Sequence, residues 1–284
     1  MFGRAKPEKS STAGDSARDD IDDVDDVDDI ERPTGPLSEE ERFRFDLQGY
    51  LVRHGALSRD ELTTLRRAVS DIDYAPPADT IQSQRIGGYL HRELAFQNLM
   101  DHPAVIDIVT ELCGSYARLD HYYGIVMAPN TSGLWIHGGA APFDPAQYYL
   151  FAQGRIHTGL IAVAWSLIDA PAGTGGFTCI PGSHKSNFGL PETVDYGHEL
   201  VTDVALKAGD MLVFTEAIVH GTATWKGDEE RQLLFYKYSP GNSSWGNEVR
   251  AGISDPLLST LTKRQQRLCQ LPSVGYHQPV NGDD

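Results

Sequence analysis

Between Arg118 and Pro240 the chain is cut into short runs rich in β-branched and aromatic residues: RLDHYYGIVMAP, HTGLIAVAWSLIDAP, GGFTCIPGS, DMLVFTEAIVHG and RQLLFYKYSPG. Gly, Pro, Asn or Asp separates most of them. Branched and ring side chains fit a pleated surface, and glycine or proline ends each segment, so these runs predict strands. Several short strands after a helical start predict a mainly β fold with flanking helices, built as a jelly roll or barrel.

The helical start is read from its caps. Ser38 followed by Glu41, and Ser58 followed by Glu61, each suit a capping box. After Ser58 the apolar residues Leu62, Leu65, Val69 and Ile72 fall at helical spacing, which predicts a helix with one face on the core. A short strand is expected around Tyr50 to Val52, another helix over Pro103 to Cys113, and a closing helix after Ser254 in DPLLSTLTKRQQRLCQL. Residues 1–36 read as a disordered acidic tail, because DDIDDVDDVDDI repels itself and buries too little to offset chain entropy. The tail lacks the turn glycine and bidentate glutamate of an EF-hand loop. Residues 37–284 form the folded domain.

Composition excludes several classes. A net charge of −16 speaks against nucleic-acid polymers as partners, which need a basic surface. It also weighs against docking on an acidic carrier protein. No apolar run approaches the ~18 residues of a membrane span, and the first residues lack a signal-peptide core, so a cytoplasmic protein without a membrane is expected. Cys113, Cys179 and Cys269 are odd in number and form no CxxC, which argues against a disulfide framework or a zinc knuckle.

Of ten histidines, two stand out. His137 ends GLWIHGG and His220 ends MLVFTEAIVHG, each where a strand meets a glycine turn. A barrel mouth presents side chains at such places, and paired imidazoles there can bind a divalent metal. Downstream of His220 come Thr222 and, eleven residues on, Arg231; between the histidines lie TGGFTCIPGSHK and AGDMLVF. From about Phe45 to Pro240 this arrangement resembles the phytanoyl-CoA dioxygenase family of iron(II)/2-oxoglutarate enzymes. There a His-x-Asp motif, a glycine-rich strand ending in a PGSH turn, a GD turn, a distal His and an Arg follow in that order. The resemblance implies a double-stranded β-helix of the cupin-like kind, with iron(II), 2-oxoglutarate and O2 as cofactor, cosubstrate and oxidant. It implies His137 and His220 as metal ligands, Arg231 and Thr222 as holders of the distal carboxylate of 2-oxoglutarate, and Trp165 as an aromatic lining of that pocket. The planar fork of a guanidinium matches a carboxylate bidentately.

One position departs from the pattern. Gly139 stands two residues after His137, where the family has its metal-binding carboxylate. Two positions apart on a strand share a face, so the third ligand is missing. The same His-x-Gly replacement marks the iron(II)/2-oxoglutarate halogenases, in which chloride takes the carboxylate's place. The resemblance thus implies a halogenase chlorinating an unactivated carbon. The alternatives are a hydroxylase with a two-histidine site, or with a carboxylate from elsewhere such as Asp144, and a non-catalytic cupin-like binding protein. The expected substrate is a free small molecule, a nucleotide or other anionic metabolite, met by Arg155 and His157. Tyr148 and Tyr149 suit a lid or the core equally.

Overall fold

The computed structural model describes residues 32–74, 83–275 and 277–282, so most of the expected acidic tail lies outside the described residues. Its expected boundary at Pro36 falls inside the described part. The buried Arg53 guanidinium donates to the carbonyls of Gly35 and Pro36, and the Gly35 N–H donates to Pro103 O.

The elements follow the caps and runs. In chain order they are α1 (Glu39–Gln48), β1 (Tyr50–Arg53), α2 (Arg59–Ser70), β2 (Gln84–Ile86), α3 (Leu94–Asn98), α4 (Ile106–Cys113) and β3 (Arg118–Met127). Then come β4 (Tyr149–Ala152), β5 (Arg155–Thr158), β6 (Ile161–Ser166), β7 (Gly176–Ile180), β8 (Thr202–Asp203), β9 (Met211–Thr215), β10 (Val219–Ala223), β11 (Arg231–Ser239), α5 (Asp255–Thr260) and α6 (Lys263–Leu268). Both expected capping boxes form, on α1 and α2. Helix α4 starts later than expected, because residues 103–105 form a turn. The expected closing helix is two helices. Leu261 is extended, and Thr262 then caps α6 in a capping box with Gln265.

The strands make a large sheet in the order β1-β9-β6-β11-β3-β2 and a small one in the order β10-β7-β8, with β4 and β5 as a separate hairpin. All pairs are antiparallel. The two faces of the large sheet do different work. Val163, Trp165, Val213, Leu234 and Tyr236 join the helices in one apolar core. Ala162, Ala164, Leu212, Phe214, Leu233 and Phe235 join Phe177 and Cys179 of the small sheet in a second core between the sheets. This is the jelly-roll sandwich expected from the sequence, with helices against the outer face of the large sheet. Among the described residues no helix is long and apolar enough to cross a membrane. The three cysteines are buried free thiols.

Candidate metal and cosubstrate site

His137 and His220 meet across an isolated backbone bridge. The N–H of each donates to the carbonyl of the other at 2.8 Å, which lays residue 137 along the free edge of β10. The two rings lie 4.4 Å apart between centroids. His137 Nδ1 is 2.9 Å from Trp135 O, and His220 Nδ1 is 2.8 Å from Ile218 O. A carbonyl only accepts, so each neutral ring carries its proton on Nδ1 and keeps the Nε2 lone pair for a ligand. Backbone acceptors that fix a tautomer in this way are the usual support of metal-binding imidazoles. His220 also sits against Phe214 and Phe177, at 4.9 and 6.1 Å between ring centroids. Burial drives its pKa down to about 4, against the pull of the nearby Glu216 carboxylate, so the ring is neutral at pH 7.

Arg231 opens β11 on its inner face, and only 2 % of it is exposed. Its Nη1 lies 3.4 Å from Met127 Sδ, and its Nε has no hydrogen-bond partner. Among the described residues no carboxylate lies within ion-pair distance of it. Burial pulls its pKa down to about 10, which leaves it charged at pH 7. A Cβ on Gly176 would come within 3.2 Å of Arg231 Nε, so the bare backbone there leaves the guanidinium its room. Gly176 pairs with Ala223 and Phe177 with Thr222, which sets Arg231 beside the β7–β10 pair. Thr222 is two residues beyond His220 on the same face of β10. A buried cation with no counter-ion among the described residues suits a carboxylate, and imidazoles with free Nε2 atoms suit a metal.

Residue 139 is not where a strand would put it. The chain leaves the bridge at His137 through two left-handed glycines, Gly138 at φ 88° and Gly139 at φ 109°. The same-face argument from the sequence assumed extended backbone and fails here. A Cβ at Gly139 would meet Val219 Cγ2 at 3.1 Å, and L side chains rarely adopt this φ. Asp144 does not supply the missing carboxylate either. Its Oδ1 accepts from the backbone N–H of Ala146 and Gln147, which ties it to its own turn.

The structure places a different carboxylate at the histidines. Glu216 lies in the turn between β9 and β10 and is buried. Its Oε2 is 3.8 Å from His220 Nε2, and Lys237 Nζ lies 2.7 Å from its Oε1. The lysine contact has the distance of an ion pair but not the angle of a hydrogen bond, so Oε1 has no hydrogen-bond partner. Burial alone would raise the Glu216 pKa; Lys237 and the two imidazoles outweigh it and hold the carboxyl below its ordinary range. The sequence analysis missed this residue. Its signal was a lone charge inside the apolar run MLVFTEAIV, because an isolated charge in such a run must be paired or bound when buried.

Other expected residues lie elsewhere. Trp165 is on the helix-facing side of β6, edge-on to His102 at 5.0 Å between centroids, so it is a core residue and not a wall of the interior. Arg155 and His157 lie on the β4–β5 hairpin, with the Arg155 guanidinium over Gly114 at the end of α4. Among the described residues neither shares a hydrogen bond, ion pair or ring contact with the histidine pair. Tyr149 packs on the helix-side core and donates to Asp46, while the Tyr148 ring lies tilted against Phe143 at 6.3 Å between centroids. His184, from the PGSH turn, is buried, and its Nε2 donates to Asp46 O at 3.0 Å, latching that turn to α1. A Cβ on Gly49 would come within 2.6 Å of this ring.

Comparison with known proteins speaks for the family and the fold. The family model of the phytanoyl-CoA dioxygenases matches residues 45–233, most of the chain, and the protein belongs to that family of iron(II)/2-oxoglutarate-dependent oxidoreductases. Among solved structures, HygX from Streptomyces hygroscopicus with nickel and 2-oxoglutarate bound is similar at a TM-score of 0.68 and 23 % identity, covering 77 % of this chain and 93 % of its own. The carbocyclase SnoK from nogalamycin biosynthesis is similar at 0.57 and 20 %, covering 81 % and 94 %. The epimerase SnoN of the same biosynthesis is similar at 0.55 and 21 %, covering 72 % and 83 %. At these identities they speak for the fold. No curated protein sequence matches the chain.

Proposed function

We propose that this protein oxidises a free small molecule of secondary metabolism, holding iron(II) at His137 and His220 and 2-oxoglutarate at Arg231 and Thr222. The observation that carries this reading is the presence, in one fold, of two imidazoles held with Nδ1 protonated and a buried arginine that no described carboxylate pairs. Iron and 2-oxoglutarate together supply oxygen activation driven by decarboxylation of the cosubstrate. The chain's own part is to fix the two imidazole tautomers, to clamp the distal carboxylate in a water-poor recess and to neutralise its charge. The small-molecule substrate is argued from the neighbours. A further HygX structure contains hygromycin B, and SnoK and SnoN are named for nogalamycin biosynthesis.

Oxygenation or a related oxidation is our preferred outcome, because Glu216, 3.8 Å from His220 Nε2, would compete with a halide for the metal. Halogenation with bound chloride is the second reading, and the absent side chain at Gly139 favours it. The test is oxygen uptake and succinate release with iron and 2-oxoglutarate, followed by mass spectrometry of candidate metabolites with and without chloride. We expect 2-oxoglutarate-dependent oxygen uptake and an oxidised product indifferent to chloride. A chlorinated product that disappears without chloride, and becomes brominated in bromide, would establish the halogenase reading instead. Absence of oxygen uptake with iron bound would leave a cupin-like binding protein.

A further inference from the structure

Three positions frame the histidine pair: the left-handed glycines after His137, Asp144 in its own turn, and Glu216 in the turn before β10. Only the last presents a carboxylate to the imidazoles. Two ligands held at ~2.1 Å by one metal at right angles lie ~3 Å apart. Glu216 Oε2 is 3.8 Å from His220 Nε2, so a shift of under ~1 Å closes the difference. Among the described residues no three His, Cys, Asp or Glu side chains already converge at metal distances. Lys237 Nζ lies 2.7 Å from the other carboxylate oxygen. Buried carboxylates at metal sites are commonly steered from behind by such a partner, which fixes the oxygen that faces the metal.

We infer that Glu216 is the third protein ligand of the metal, binding through Oε2 from the strand turn before His220 and replacing the carboxylate absent at Gly139, while Lys237 pairs with its other oxygen. The facial set is then His137, Glu216 and His220, two of its members four residues apart. The inference rests on the two-histidine reading above.

The test is anaerobic calorimetric titration of iron(II) into the metal-free full chain, with thermal unfolding measured alongside. Wild type should bind one iron. Glu216→Gln keeps the shape and removes the charge, and it should weaken iron binding at least ~10-fold. It also strands Lys237, so the double variant Glu216→Gln/Lys237→Met is needed; it should fold with ordinary stability and bind iron as weakly. Lys237→Met removes a cation that competes with the metal for the same carboxylate, so it should bind iron more tightly than wild type, and iron should raise its unfolding temperature by more. Equal iron affinity in wild type and in the double variant would overturn the inference and leave Glu216 as the counter-ion of Lys237. A wild-type protein that binds no iron would overturn the two-histidine reading along with it.

Discussion

Strand β11 carries a buried cation at each end of its inner face, and the fold treats the two differently. Lys237 is given a carboxylate, Glu216, at 2.7 Å, and that pairing keeps its pKa raised despite burial. Arg231 is given a thioether and bare backbone at Gly176, and burial lowers its pKa to about 10. A charge left unpaired in a core is costly, and chains retain one where a ligand supplies the missing partner. The difference separates a group that arranges the protein's own carboxylate from one that waits for a ligand's. Between them on the same face lie only Leu233 and Phe235, so this face of β11 is apolar between its two charges.

The same substitution at the two ends therefore gives opposite signs. Lys237→Met strands a buried carboxylate and should cost the metal-free protein roughly 3–5 kcal/mol in denaturant unfolding. Arg231→Met removes an uncompensated charge and should stabilise the ligand-free protein by roughly 1–4 kcal/mol while abolishing 2-oxoglutarate binding. Arg231→Lys should weaken 2-oxoglutarate as well, since a point charge does not reproduce the fork. If both methionine variants lose stability alike, the two cations are equivalent structural groups and the comparison fails.

Acid sharpens it in a smaller way. Neither cation titrates between pH 7 and 5.5, and the carboxylates take up protons mainly below that, so loss of stability in that window belongs chiefly to the buried histidines. Burial, chiefly, holds His184 down to about 4 from its ordinary 6.5. The unfolded chain then binds the proton first, and stability falls as pH drops below ~6.5, by roughly 1 kcal/mol at pH 5.5 from this residue. His184→Gln can donate the same hydrogen bond to Asp46 O without titrating. Unfolding curves of that variant should lose less stability between pH 7 and 5.5 than wild type; equal losses would place the acid sensitivity elsewhere.

What was legible in the sequence follows from which signals are local. Capping boxes and glycine-bounded apolar runs act within a few residues, and α1, α2 and the main strands appear where they point. The split between α5 and α6 was equally local and was overlooked, since Thr262 and Gln265 spell a third capping box. The side of β6 that carries Trp165 was harder, because the strand is buried on both faces and has no polar alternation to orient it. Its size alternation was the remaining clue, with Ala162 and Ala164 facing the small sheet and the larger residues facing the helices. Gly139 misled because a two-residue offset was read as strand, whereas two successive glycines permit the left-handed turn that forms. Glu216 and Lys237 are far apart in sequence, and only the barrel brings them together.

The account turns on Arg231 being empty in the protein alone and filled by 2-oxoglutarate beside a metal. Anaerobic titration of 2-oxoglutarate, with and without iron(II), measures this directly. The prediction is one 2-oxoglutarate per chain, far tighter with iron than without it, with the visible charge-transfer absorption of an iron chelate, and at least ~100-fold weaker in Arg231→Met. Binding that ignores iron, or that survives unchanged in a folded Arg231→Met protein, would contradict it.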